Sequence, residues 1–271
     1  MQVSLNSTRF RNCFYQKIGK GQPVFLLHGF GEDAAIFENQ IDELQNTFEL
    51  IIPDFPGSGL SSICDEEMSM ELFADFVNEI VEQQKFHKII LLGHSMGGYI
   101  TMAFAEKYQH KLFAFGLIHS SAYPDDEAKK ETRRKSIKLI ENDGKEIFLK
   151  AMIPNLYSDE SKLICQLEMQ KHLSMALNIS TKALIGYYQA MINRADKRHV
   201  LKSATIPVLF VIGKKDNAIP YLQMVEQVSM PAIAKVEILE KVGHTSMYEN
   251  KKALNRIINN FCLYVFRQEI V

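Results

Sequence analysis

The chain has 271 residues, of which 46% are hydrophobic and 23% charged, and its formal net charge is -1. This balance gives no electrostatic basis for binding nucleic acid or an anionic membrane surface, so we expect neither partner. The N-terminus lacks the apolar core of a signal peptide and no stretch is long and apolar enough to span a bilayer, which favours a cytoplasmic protein.

Strand-like apolar runs alternate with helical patterns, which predicts an α/β fold with a mostly parallel sheet and helices on both faces. The first such strand, 23–27, leads into the loop His-Gly-Phe-Gly at 28–31. The second strand, 50–52, leads into a glycine-rich turn that begins at Asp54. We expect His28 to stabilise its own loop and Asp54 to fix the turn.

The next segment, 70–84, shows the helical period. Its apolar residues recur three or four positions apart and predict one buried stripe on a core helix. These residues are Leu72, Phe73, Phe76, Val77, Ile80 and Val81.

The following strand-like run, 89–92, ends in Gly-His-Ser-Met-Gly at 93–97, and a helical pattern comes after it. A serine between two glycines at this position can lie on a sharp strand-to-helix turn that exposes its hydroxyl. The glycines let neighbouring chain pass without side-chain clashes. We therefore predict that Ser95 is a nucleophile. Because side chains alternate along a strand, His94 should point away from Ser95 and pack within the fold.

Between the strand-like runs 112–118 and 206–212 the alternation stops and the pattern is helical, including a helix at 135–152. We expect residues 123–202 to form a helical cap inserted into a core made of residues 1–122 and 203–271. The cap opens with the charge-rich stretch 125–135. Its acids precede its bases, which is typical of a solvated helix that complements the helix dipole. The alternative is that its Lys and Arg side chains bind an anionic substrate or nucleic acid.

Two later loops supply the partners that a serine nucleophile needs, a histidine to take its proton and a carboxylate to orient that histidine. Asp216 follows the strand 206–212, and His244 follows the strand 234–239. We predict that Asp216 orients His244. The last helix again carries a buried stripe, formed by Leu254, Ile257, Ile258, Phe261, Cys262 and Val265.

Together these motifs resemble the α/β-hydrolase superfamily, whose triad follows the order serine, acid, histidine. The resemblance runs from about Val24 to the last helix. It points to small carboxylesterases, biotin-pathway methyl ester esterases and meta-cleavage product hydrolases. It implies that the cap roofs the active site and that the backbone N–H groups of Phe30 and Met96 form the oxyanion hole. It also leaves Asp125 and Asp126 as rival acids, because some members take the acid from the preceding strand end.

The resemblance implies a serine hydrolase that cleaves a carboxylic ester, thioester or lactone of a small to medium apolar substrate. Catalysis would proceed through an acyl-enzyme on Ser95, with no cofactor and no metal. Relatives such as haloalkane dehalogenases and epoxide hydrolases have an aspartate in place of Ser95, so their reactions are not expected here. Carbon–carbon bond hydrolysis of the meta-cleavage type is the alternative. The expected partner is a small ester-like molecule, and the substrate and the oligomeric state stay open.

Two other classes of protein compete with this interpretation. Residues 29–34 match G-x-G-x-x-A and Asp54 follows, as in a dinucleotide-binding protein, although Glu32 and Asp33 would place negative charge where the pyrophosphate lies. A non-catalytic ligand receptor with this fold is the other possibility. The four cysteines are scattered, so we expect neither disulfides nor a zinc site, and we expect all four to be reduced and buried: Cys13, Cys64, Cys165 and Cys262.

Overall fold

The protein was analysed as a computed structural model that describes residues 1–268, apart from the side chain of Asp143. Its centre is an eight-stranded sheet with strand order β1-β2-β4-β3-β5-β6-β7-β8. The strands are β1 (Gln2–Ser4), β2 (Phe14–Gly19), β3 (Gln22–Leu27), β4 (Phe48–Pro53), β5 (Ile89–His94), β6 (Leu112–Ile118), β7 (Val208–Gly213) and β8 (Ala234–Leu239). β2 pairs antiparallel with β1 and β4, and the other neighbours are parallel. This confirms the predicted fold class.

Helices connect the parallel strands, and within residues 1–268 two more follow the last strand. They are α1 (Glu38–Leu44), α2 (Met70–Gln83), α3 (Met96–Tyr108), α4 (Glu127–Leu139), α5 (Lys145–Asn155), α6 (Asp159–Ile164), α7 (Gln166–Asn178), α8 (Thr181–Asn193), α9 (Arg198–Ser203), α10 (Tyr221–Gln227), α11 (Ser246–Glu249) and α12 (Lys251–Gln268). Both predicted apolar stripes, on α2 and α12, are buried. The side chain of Ser69 caps α2 by accepting a hydrogen bond from the N–H of Leu72.

The two N-terminal strands were not predicted. β2 is only half-buried and carries Gln16 and Lys17 among its apolar residues, so its pattern is weak. It extends the sheet at an antiparallel edge, where one face meets solvent and polar residues are tolerated.

Six helices, α4 to α9, lie between β6 and β7. The predicted helix at 135–152 is interrupted by a π-helical turn at Ile140–Gly144. The turn contains Asn142, Asp143 and Gly144, which are poor formers of a regular helix. The turn thus divides the predicted helix into α4 and α5.

Cys13, Cys165 and Cys262 are buried, whereas Cys64 is half-buried, so the expectation of four buried thiols is wrong for Cys64. Within residues 1–268, no helix combines the length and the hydropathy that crossing a bilayer requires.

Candidate active site

Ser95 occupies a strained turn between β5 and α3. Its backbone has φ 50° and ψ -114°, a conformation that residues other than glycine rarely adopt. The Ser95 N–H donates to the carbonyl of Ile118 at 3.0 Å. A Cβ atom on Gly97 would lie 2.3 Å from the carbonyl oxygen of Leu27, so only glycine lets α3 start this close to β3. The turn therefore lifts the Ser95 side chain away from the sheet.

Asp216 and His244 meet at the carboxyl ends of β7 and β8. Nδ1 of His244 lies 2.7 Å from Oδ2 of Asp216, while Oδ1 accepts hydrogen bonds from the N–H groups of Ala218 and Ile219. Burial by itself raises the pKa of Asp216, but the adjacent imidazole outweighs it and the net pKa lies below the ordinary value. The carboxylate is thus ionised at neutral pH and holds a proton on Nδ1 of His244.

The loop that carries His244 is fixed by Glu249. This carboxylate accepts hydrogen bonds from the N–H groups of Gly243 at 2.9 Å and Thr245 at 3.0 Å, on either side of the histidine. It also accepts one from the N–H of Ser158, which lies before α6. The His244 loop is therefore tied to the helical segment as well as to the sheet.

Ser95 and His244 face one cavity of about 500 Å³. The hydroxyl of Ser95 forms no hydrogen bond to any residue that the structure describes. Catalytic hydrogen bonds often tighten only when substrate is bound. The cavity wall is mainly apolar and aromatic, formed by Phe30, Tyr99, Met152, Leu156, Tyr188 and Met191.

Met96 directly follows Ser95 in the chain, and Phe30 lines the same cavity as Ser95. Met96 begins α3, so its N–H has no partner within the helix, and Phe30 lines the cavity from the loop after β3. Neither N–H donates a hydrogen bond to another of the described residues. Both N–H groups thus lack an acceptor within the described part of the chain.

Glu32 and His94 form a buried contact that the sequence did not indicate. Glu32 accepts from the N–H of Gly29 at 2.5 Å and lies 3.0 Å from Nδ1 of His94. The other ring nitrogen of His94 donates to the main-chain carbonyl of His244 at 2.8 Å. Burial raises the pKa of Glu32, but His94 and His172 lower it more, to about 2. Burial lowers the pKa of His94, and Glu32 reverses this, so the net pKa is raised.

His94 therefore packs within the fold, as its position in the strand predicts, and its ring binds the buried carboxylate of Glu32. No sequence pattern links it to Glu32, because the two residues are far apart along the chain and meet only when β3 and β5 pair.

His119, which follows β6, was also missed. Its Nδ1 accepts from the N–H of Gly213 at 3.2 Å, and its Nε2 donates to the hydroxyl of Ser246 at 2.7 Å. Burial lowers the pKa of His119 to about 3, so the ring is neutral. It lies 3.8 Å from the Asp216 carboxylate and packs the loops after β6 and β7 against each other.

The loops after β3 and β4 are held together by His28 and Asp54. His28 accepts from the N–H of Phe55 at 3.2 Å, so it stabilises the neighbouring loop as well as its own. Asp54 accepts from the N–H groups of Ala34 at 2.9 Å and Leu60 at 3.0 Å, which is the turn-fixing role expected for it.

The rival acids make other contacts. Asp126 caps α4 by accepting from the N–H of Lys129 at 2.7 Å. Asp125 is fully buried and pairs with Arg133 at 2.6 Å and Arg194 at 2.8 Å. The expectation that the stretch 125–135 lies on a solvated face is therefore wrong for Asp125 and Arg133. The local sequence does not indicate this burial, because Arg194, which completes the cluster, is distant from Asp125 along the chain.

The loop at 29–34 does not resemble a dinucleotide site. Glu32 is buried and points to His94, and Asp33 caps a short 3-10 helix, Ala34–Phe37, in place of the longer helix that would face a pyrophosphate. The buried negative charge at this loop opposes phosphate binding.

Comparisons with known proteins agree with this architecture. Residues 22–133 match the family model described as alpha/beta hydrolase fold. A thermophilic esterase from Thermogutta terrifontis, solved with malate bound, superposes with a TM-score of 0.91 at 26% identity, covering 98% of this chain and 99% of that one. The 2-hydroxy-6-oxononadienedioate/2-hydroxy-6-oxononatrienedioate hydrolase of Escherichia coli (strain K12 / DH10B) is 27% identical over 93% of this chain and 89% of its own. The AB hydrolase superfamily protein YisY of Bacillus subtilis (strain 168) is 26% identical over 92% and 94%.

Proposed function

Since the chain belongs to the α/β-hydrolase superfamily and is a hydrolase, we propose that it is a serine esterase acting through Ser95, His244 and Asp216. The observation that carries the proposal is the 2.7 Å contact between His244 and Asp216 at the edge of the cavity that Ser95 also faces. The substrate is a small molecule with a carboxylic ester, thioester or lactone group and a small to medium, largely apolar body.

In the proposed reaction the Ser95 hydroxyl attacks the ester carbonyl while Nε2 of His244 takes its proton. Asp216 stabilises the resulting imidazolium and keeps the remaining proton on Nδ1. His244 then donates the proton to the departing alcohol, which leaves an acyl group on Ser95. A water molecule, deprotonated by His244, then attacks the acyl-enzyme. His244 returns this proton to the Ser95 oxygen as the acyl–oxygen bond breaks, which releases the free acid and restores the serine hydroxyl.

The negative charge that develops on the carbonyl oxygen needs donors that are already in position. The backbone N–H groups of Phe30 and Met96 fill this role in the proposal. Their location is supported by Glu32, which binds the N–H of Gly29 directly before Phe30. Removing one such donor typically costs about a hundredfold or more in turnover.

We further propose that the helices from α4 to α9 form a cap over the site, corresponding to the predicted cap 123–202. Met152, Tyr188 and Met191 of these helices line the cavity. Such a cover excludes water and strengthens the hydrogen bonds inside the site.

The test is a series of p-nitrophenyl esters of rising acyl length, measured with the wild type, Ser95→Ala and His244→Ala. We expect both variants to lose nearly all activity, and a fluorophosphonate probe to label the wild type but not Ser95→Ala. Full hydrolysis by Ser95→Ala would refute the proposal.

The comparisons do not favour the alternatives over ester hydrolysis. Carbon–carbon bond hydrolysis stays a prediction for this chain, as does a cytoplasmic location. A dinucleotide-binding protein or a non-catalytic receptor is not favoured for a member of a hydrolase family.

A further inference from the structure

The cavity that contains Ser95 is lined by two cations from one helix. Lys129 and Arg133 lie one turn apart on α4, and both line the cavity that contains Ser95. The Lys129 ammonium donates to the carbonyl of Ala218, next to the Asp216 loop. The Arg133 guanidinium lies further along the helix, over the ring of Tyr188, 5.4 Å from its centroid.

Arg133 belongs to a buried cluster with an excess of positive charge. The single carboxylate of Asp125 is shared by Arg133 and Arg194, which leaves one uncompensated positive charge among the three groups. The remaining hydrogen bonds of Arg194 go to the uncharged carbonyls of Met191 at 2.8 Å and Tyr123 at 3.1 Å. A buried cation without a full counter-charge is costly unless an anion joins it.

Some N–H donors of the Arg133 guanidinium are not used by other residues and can bind such an anion. Its Nε binds Asp125 at 2.6 Å and its Nη2 makes a long contact of 3.5 Å, while Nη1 has no hydrogen-bond acceptor in the described part of the chain. The side chain is only 13% exposed, so bulk water does not screen it fully. The two acids that line the cavity are engaged elsewhere: Glu32 with His94, and Asp126 with the start of α4.

We propose that Arg133 binds a carboxylate at the end of the substrate's acyl group. This inference rests on the proposed function. The planar guanidinium presents paired donors that match a carboxylate, and charge-assisted bonds of this kind are among the strongest in proteins. The substrate class is therefore the monoesters of dicarboxylic acids, whose hydrolysis by water yields a dicarboxylate and an alcohol.

The position of Arg133 assigns the carboxylate to the acyl side. His244 protonates the departing alcohol, so the alcohol lies on the His244 side of the ester bond. Arg133 lies over Tyr188, and Tyr188 stacks on Phe30 with ring centroids 4.2 Å apart. In this proposal the acyl chain runs from Ser95 past the rings of Phe30 and Tyr188. Its terminal carboxylate then meets Arg133.

The experiment compares 4-nitrophenyl hydrogen adipate with its neutral counterpart, methyl 4-nitrophenyl adipate. We expect the wild type to prefer the acidic ester by about tenfold or more in kcat/KM. Arg133→Met should lower kcat/KM for the acidic ester roughly 10- to 100-fold and change that for the neutral ester little. Arg134→Met, an equal loss of charge at a neighbouring exposed position of α4, should leave both values unchanged.

The controls separate this inference from the proposed function. If Ser95→Ala hydrolyses both esters, the proposed function fails. If hydrolysis depends on Ser95 but the wild type shows no preference for the acidic ester, or Arg133→Met retains it, the carboxylate subsite is refuted. Should Arg133→Met not fold, two measurements on the wild type decide. We expect it to prefer the acidic ester, and to be inhibited competitively by adipate but not by dimethyl adipate.

Discussion

The carboxylate of Glu32 lies 3.0 Å from Nδ1 of His94, and both side chains are buried. This contact links two loops of the site. Glu32 also accepts a hydrogen bond from the N–H of Gly29, directly before Phe30, and His94 donates one to the main-chain carbonyl of His244. Breaking the pair should disturb the oxyanion donors and the general base together.

Glu32→Gln is expected to lower kcat about tenfold or more without a comparable change in KM, because it loosens the positions of groups that act in the transition state. It leaves His94 without its counter-charge and should cost about 3–5 kcal/mol of unfolding free energy. Steady-state kinetics and chemical denaturation measure the two effects. Glu67→Gln, at an exposed position, is the control; equal losses in both variants would contradict a special role for Glu32.

The same pair predicts a pH window for stability. The folded pKa of Glu32 is lowered from 4.5 to about 2, so its contribution is fully present above pH 4.5 and is lost as the pH falls towards 2. The folded pKa of His94 is raised above 6.5, so its contribution is present below pH 6.5 and is lost as the pH rises through that folded pKa. The stability difference between the wild type and Glu32→Gln should therefore be largest between about pH 4.5 and 6.5. A difference that grows below pH 4.5 would contradict this assignment.

Asp216→Asn should reduce kcat by about 10³- to 10⁴-fold, because the amide no longer stabilises the imidazolium form of His244. We expect the melting temperature to change little, since Asn preserves the shape of the side chain. Asp126→Asn, at the start of α4, should alter kcat by no more than about threefold. A larger loss of kcat in Asp126→Asn than in Asp216→Asn would instead identify Asp126, in the segment after β6, as the orienting acid.

Gly97→Ala should destabilise the protein by about 3 kcal/mol or more, because the added Cβ would lie 2.3 Å from the backbone oxygen of Leu27. Gly186→Ala, within α8, is the matched control. There the new Cβ would meet the flexible end of Met68 at 2.6 Å, and alanine favours a helix, so the change should stay within about 1 kcal/mol. Denaturation curves with both variants test this; a stable Gly97→Ala variant would show that α3 can move away from β3.

Local patterns in the sequence predict much of this fold. The stripe on α2 follows from the helical period, whereas β5 and β7 follow from continuous apolar runs, which are typical of strands buried on both faces. The turn at Ser95 is likewise local, since its glycines and its position between a strand and a helix are neighbours along the chain.

Contacts between distant segments were decided only by the tertiary structure. The meeting of Glu32 with His94, and the burial of Asp125 between Arg133 and Arg194, depend on which strands pair and how the helical segment lies over them. A charged residue looks the same in sequence whether it faces water or a counter-ion, because the partner that makes its burial favourable lies elsewhere in the chain. Sequence alone therefore determined where a nucleophile could be presented, while only the folded chain decided which charges surround it.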